Sequence, residues 1–166
     1  MQMSEAEQNV KLVQNWVDAI NNNDVERELS CWHPDGEYFI MATDTHYKGI
    51  GDIRKAGEVS ASMISGQPSA GRKQITNLFA TDEWACVEYR TDAKVSGPIS
   101  VKNVEILPKG VSKTVRQQVC IVFHIRDGKF ELGREYFDTS GMARQLGLNS
   151  SDLASFYSSM ADQLTS

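Results

Sequence analysis

Apolar residues recur at three- and four-residue spacing early in the chain and at two-residue spacing through most of the remainder, so helices precede a sheet. Leu12, Val13, Trp16, Val17 and Ile20 fall on one helical face, and Ser4 with Glu7 three positions on supplies a capping box ahead of them. This amphipathic helix ends in Asn21-Asn22-Asn23. Asp24 followed by Val25, Leu29 and Trp32 predicts a short second helix, stopped by the turn His33-Pro34-Asp35-Gly36. Glu37 to Ala42 is a short strand with both faces apolar, and Thr43-Asp44-Thr45 turns it back toward Tyr47. A third helix begins at Ile50 or Asp52, carries Ile53, Ala56, Val59 and Met63 on one stripe, and stops in the loop Ser65 to Gly71.

From there the pattern is that of strands. Gln74 to Ala80 and Trp84 to Val95 are joined by Thr81-Asp82-Glu83. The second alternates Val87, Tyr89, Thr91, Ala93 and Val95 with Cys86, Glu88, Arg90, Asp92 and Lys94, giving one apolar and one charged face. Ser96 to Thr114, broken by Gly97-Pro98 and Pro108-Lys109-Gly110, reads as an extended connection or an extra hairpin. Val119 to Ile125 and Phe130 to Phe137 flank Arg126-Asp127-Gly128-Lys129, where glycine takes a positive φ cheaply, so they form a β-hairpin. Its second arm delivers Asp138 to a strand end, before Thr139-Ser140-Gly141 opens a short helix closed by Gly147. Ser150 or Ser151 then caps a last helix with Leu153, Phe156, Tyr157, Met160 and Leu164 on one stripe. The expectation is one α+β domain over residues 1–166, with a core of about 5–147 and a helical tail of 148–166.

Composition narrows the function. A net charge of −5 with no basic cluster removes the electrostatic footprint of a nucleic-acid binder. Cys31, Cys86 and Cys120 lie far apart without metal-ligand spacing, which reads as free thiols in a reducing compartment and no metal. The polar, acidic N-terminus excludes a signal peptide, and no apolar run reaches the ~20 residues of a membrane span. A cytoplasmic protein, with neither nucleic acid nor membrane as partner, is expected.

The segments HPDG, DGKF, REYFD and ARQLG, in this order behind an N-terminal helix, resemble the nuclear transport factor 2-like superfamily. Within it the SnoaL-like polyketide cyclases and the limonene epoxide hydrolase group are most similar, over about Leu12 to Gly147. The resemblance implies a cone-shaped, curved mixed sheet wrapped around N-terminal helices, a deep pocket and a homodimer. It also implies cofactor-free acid/base catalysis on a small apolar molecule, of epoxide hydrolase, cyclase or isomerase type.

Two site assignments follow from the resemblance. Arg90-Thr91-Asp92 and Tyr136-Phe137-Asp138 match the Asp-Arg-Asp pattern of the epoxide hydrolases, which makes Asp138 the base, Asp92 the acid and Arg90 the bridge. Two carboxylates sharing a guanidinium can hold opposite protonation states, as water activation and leaving-oxygen protonation require. Tyr38 matches the water-positioning tyrosine, and the asparagine expected two residues later is Ile40. By the cyclase pattern, Asp138 is instead the base for a carbon acid, His124 assists from the neighbouring strand, and Trp16 is similar to the pocket tryptophan. Tyr38, Trp16 and Tyr136 are the expected substrate-binding residues. Ile40 and Trp16 stand where steroid isomerases carry their base and oxyanion tyrosine. Glu135 resembles the acid of phenazine-type members, but strand alternation sets it on the face opposite Asp138.

Plainer readings stand beside these. Glu88, Arg90, Asp92 and Lys94 also read as a solvated strand face with weak ion pairs. His124 also reads as a hydrogen-bonded structural residue, and Trp16 as core. For the whole chain the rival is a non-catalytic ligand-binding or dimerisation module of the same fold.

Overall fold

The computed structural model describes residues 3–63, 71–101, 104–149 and 151–152. Helix α1 (Glu5–Asn21) carries the full capping box, the Ser4 hydroxyl accepting from the Glu7 N–H while the Glu7 carboxylate accepts from the Ser4 N–H. Val13, Trp16, Val17 and Ala19 on its apolar stripe are buried. Helix α2 (Val25–Ser30), capped by Asp24, stops short of Trp32. Trp32 opens strand β1 (Trp32–Ile40), so the His33-Pro34-Asp35-Gly36 stretch is strand rather than a helix-stopping turn. Pro34 cannot donate to a ladder, and the pairing with the neighbouring strand slips between Trp32 and Glu37 to accommodate it.

Strand β2 (Thr45–Lys48) returns antiparallel to β1, and helix α3 (Gly49–Met63) follows. Strands β3 (Gln74–Ala80) and β4 (Trp84–Ser96) form a hairpin. The predicted extra hairpin is present as β5 (Ile99–Val101) and β6 (Val104–Leu107), a small two-stranded sheet of its own. Strands β7 (Ser112–Arg126) and β8 (Lys129–Phe137) turn through Asp127 and Gly128, whose φ values of 52° and 70° are those of a two-residue hairpin turn. Helix α4 (Thr139–Leu146) ends at Gly147 with φ 80°. The expected C-terminal helix on Leu153 to Leu164 lies outside the described residues.

Six strands in the order β2-β1-β8-β7-β4-β3 make a curved, unclosed mixed sheet, with β1 parallel to β8 and the other neighbours antiparallel. Helices α1 and α3 cover one face. There Trp16, Trp32, Phe123 and Phe130 meet edge to face or stacked, with ring centroids 4.0–6.1 Å apart. Burying each ring contributes roughly 2–3 kcal/mol, which ties α1 to the sheet. Helix α4 packs Met142, Ala143 and Leu146 against Val115 of β7.

Candidate active site

Strand alternation and register sort the sheet's residues into rows on the helix-covered face. One row runs Ala85, Phe123, Gly133, Tyr38 and Tyr47 across five strands. The next holds Val87, Ile121, Glu135 and Ile40, then come Tyr89, Val119 and Phe137, and then Thr91 and Gln117. Glu135 is thus an acid placed in an otherwise apolar row. Its carboxylate accepts a hydrogen bond from the Tyr38 hydroxyl. Burial pushes this carboxyl up to about 7. Tyr47 is buried beside Tyr38, the two rings stacked at 6.4 Å, and burial raises its phenol as well.

Gly133 is what lets Tyr38 reach this position. A Cβ there would meet Tyr38 at 2.8 Å, Trp32 at 2.9 Å and Phe123 at 3.2 Å, so only glycine leaves room for the three rings. Three further donors on the same side, the Trp16 and Trp32 indole N–H groups and the Thr91 hydroxyl, are buried with no hydrogen-bond partner among the described residues. Such groups are exceptions in folded proteins and point to an acceptor delivered from outside.

The expected Arg90, Asp92 and Asp138 constellation is not assembled. Arg90 and Asp92 leave β4 on the opposite face, where Arg90 donates to Gln74 at 2.9 Å and Asp92 accepts from Arg116 at 3.1 Å, all exposed. The physical reason is the alternation itself: Tyr89 and Thr91 take the core side, so their neighbours cannot. Asp138 lies past the end of β8 as the N-cap of α4, accepting from the Gly141 N–H at 2.9 Å with 69% of its side chain exposed and Arg144 at 3.8 Å. It borders an open groove of about 580 Å³ with Arg116, Gln117, Met142 and Gln145. Asp138→Ala is expected to lower stability by about 1 kcal/mol, the worth of a cap, seen as a lower urea midpoint with an unchanged m-value.

His124 and Asp138 are not neighbours either. His124 pairs with Leu132, six residues and roughly 20 Å of strand from Asp138. Its Nδ1 is 2.8 Å from Glu131, and its ring lies 4.6 Å from that of Trp84 on the open face. Tyr136 is 43% exposed on that same face. Of the residues named from sequence, Tyr38 and Trp16 are on the helix-covered face.

Sequence reasoning set Glu135 aside because Asp138 was the reference for the strand's faces. The signal that finds it was present: counting from Phe137 and Gly133 instead puts Glu135 in the row of Ile121 and Val87. Lys73 was also missed. It sits in the last step before β3, with no periodic pattern to mark it, yet its ammonium lies 5.1 Å over the ring of Tyr89.

A curved mixed sheet with helices on one face and an acid among the apolar rows defines the class: an NTF2-like α+β domain. The SnoaL-like domain family model matches residues 13–132, and the chain belongs to that family. No curated protein sequence matches. Among solved structures, a candidate polyketide cyclase from Xanthomonas campestris pv. campestris superposes with a TM-score of 0.69 at 16% identity, over 86% of this chain and 99% of that one. An LEH-like epoxide hydrolase of M. tuberculosis gives 0.62 at 21%, over 87% and 96%. Bal32a, from a soil-derived mobile gene cassette, gives 0.64 at 20%, over 81% and 92%. At these identities the likeness is one of fold. No helix among the described residues is long and apolar enough to cross a membrane.

Proposed function

We propose that the protein is a cofactor-free acid/base enzyme acting on a small, largely apolar molecule within the cone, with Glu135 as the group that exchanges the proton and Tyr38 as its positioning partner. The observation that carries this reading is one carboxyl in an apolar row, hydrogen-bonded to Tyr38 and pushed up to about 7. A carboxyl poised there can both accept and return a proton near neutral pH, which carbon-acid isomerisation and cyclisation require and which a carboxylate at its ordinary value does poorly. Epoxide hydration is less well served, because it needs a second titratable group near the first and Arg90 and Asp92 face away.

The test is hydrogen–deuterium exchange in D₂O, followed by NMR, on a panel of apolar cyclic ketones and 1,3-diketones. The wild type is expected to accelerate exchange at an activated carbon, with a pH dependence centred near 7. Ligands that bind without any exchange would point to the non-catalytic carrier instead.

The open face carries Phe79 at 58%, Trp84 at 40% and Tyr136 at 43% exposure. An apolar set of this kind on one sheet face fits a self-complementary partner, and we propose that two copies pair there. Light scattering at micromolar concentration is expected to give twice the chain mass; a monomer would contradict the pairing.

A further inference from the structure

The row beyond Tyr89 differs in kind from the apolar rows beneath it. Gln74 pairs with Arg90, so one further step of the same antiparallel register puts Lys73 opposite Thr91, and Thr91 in turn pairs with Gln117. The Gly71 N–H bonded to the Asp92 carbonyl at 3.0 Å confirms that the chain follows β4 this far. Residues directly opposite one another share a face, so a cation, a hydroxyl and an amide line up across the edge of the helix-covered side.

Two of these groups await an acceptor. The Thr91 hydroxyl is 8% exposed and unpartnered. The Lys73 ammonium rests over the Tyr89 ring at 5.1 Å, and no carboxylate among the described residues lies within ion-pair distance of it. Both backbone groups of Lys73 are bound to Asn21 at 2.8 and 3.0 Å, which fixes the side chain's root. Glu28 on α2 is the acid whose field reaches it: burial raises that carboxyl and lowers the lysine, while the attraction between the two opposes both shifts and favours their charged forms. A desolvated cation with no carboxylate in direct contact is costly, and an arriving anion adds to the partial compensation that Glu28 supplies from a distance.

We propose that Lys73 and Thr91 form an anion-binding subsite at the rim of the cone, so that the ligand is an apolar ring compound bearing an anionic oxygen, a carboxylate or an enolate. The proposal deepens the reading above and rests on it for the cone as the place where the ligand sits. Tyr89 and Glu135 stand one row and two strands apart, roughly 12 Å between backbones. A ligand anchored at Lys73 must therefore span about that distance to present its far end to Glu135.

Calorimetric titration with 2-naphthoate and its neutral isostere 2-naphthamide tests the subsite. The wild type is expected to bind the carboxylate at least about tenfold more tightly than the amide, as a charge-assisted contact gives. Lys73→Met should erase that preference while keeping amide affinity, and the isosteric Thr91→Val should reduce it several-fold. Equal affinities in the wild type, or no binding of the carboxylate at millimolar concentration, overturns the subsite without reference to any variant. Glu135→Gln separates the two proposals: it should keep the carboxylate preference even where it abolishes proton exchange, and a preference lost with Glu135 instead of Lys73 would overturn the assignment to the rim.

Discussion

Glu135→Gln is expected to abolish proton exchange and, at the same time, to stabilise the protein above neutral pH. The two effects have one origin. In the unfolded chain this carboxyl ionises around 4.5, whereas in the fold burial holds it protonated up to about 7. Between those values the folded state binds the extra proton, so the wild type loses stability as pH rises through the window and levels off above it. A displacement of this size corresponds to on the order of 3 kcal/mol. Glutamine has the shape of the acid, can still accept from Tyr38, and never ionises, so the variant should match the wild type near pH 4.5 and exceed its urea midpoint at pH 8. Loss of a general acid/base should cost about 10²- to 10⁴-fold in rate. A variant with full exchange activity, or with the wild type's pH dependence of stability, would contradict both halves.

Gly133→Ala is expected to be the most damaging single methyl group in the sheet. Its Cβ would press on Tyr38, Trp32 and Phe123 at 2.8–3.2 Å, and those rings are wedged against Tyr47 and Phe130. Overpacking of this kind costs about 1–3 kcal/mol, which for a domain of this length lowers the melting midpoint by roughly 2–12 °C. The site should feel it too, since the ring that must move is the one bonded to Glu135. The check is a thermal melt with near-ultraviolet circular dichroism for ring packing. Gly128 is the contrast: an added Cβ would touch nothing, and only its φ of 70° resists substitution.

Much of the fold was legible because local rules and tertiary packing agree. The Ser4 box, the Asp127-Gly128 turn and the Gly147 helix stop each need one backbone conformation, and each residue is a type that takes it. The alternation along β4 was legible as well, and it already contained the correction to the site. The stripe Val87, Tyr89 and Thr91 claims the core, which sends Arg90 and Asp92 outward, whatever motif they resemble. Trp32 misled for the opposite reason: at helical spacing from Leu29 and Val25, it is taken from the helix by its pairing with Phe130, a contact a hundred residues away in sequence that no local pattern records. Asp138 reads as a strand-end acid and is a helix cap, because α4 starts on the very next residue and an aspartate before three small residues serves either purpose. Lys73 is invisible to periodicity altogether, since its importance comes from the register of β3 on β4.

The central claim is that the inner carboxyl of this SnoaL-like domain is Glu135 and that it is poised near neutrality. The most direct measurement is a ¹³C NMR titration of the glutamate side-chain carboxyls, with the Glu135 resonance assigned by its disappearance in Glu135→Gln. A midpoint close to 7, well separated from the exposed glutamates, is the predicted result. A midpoint in the ordinary range around 4.5 would show a solvated carboxylate with no special proton affinity, and the acid/base reading of the site would fall with it.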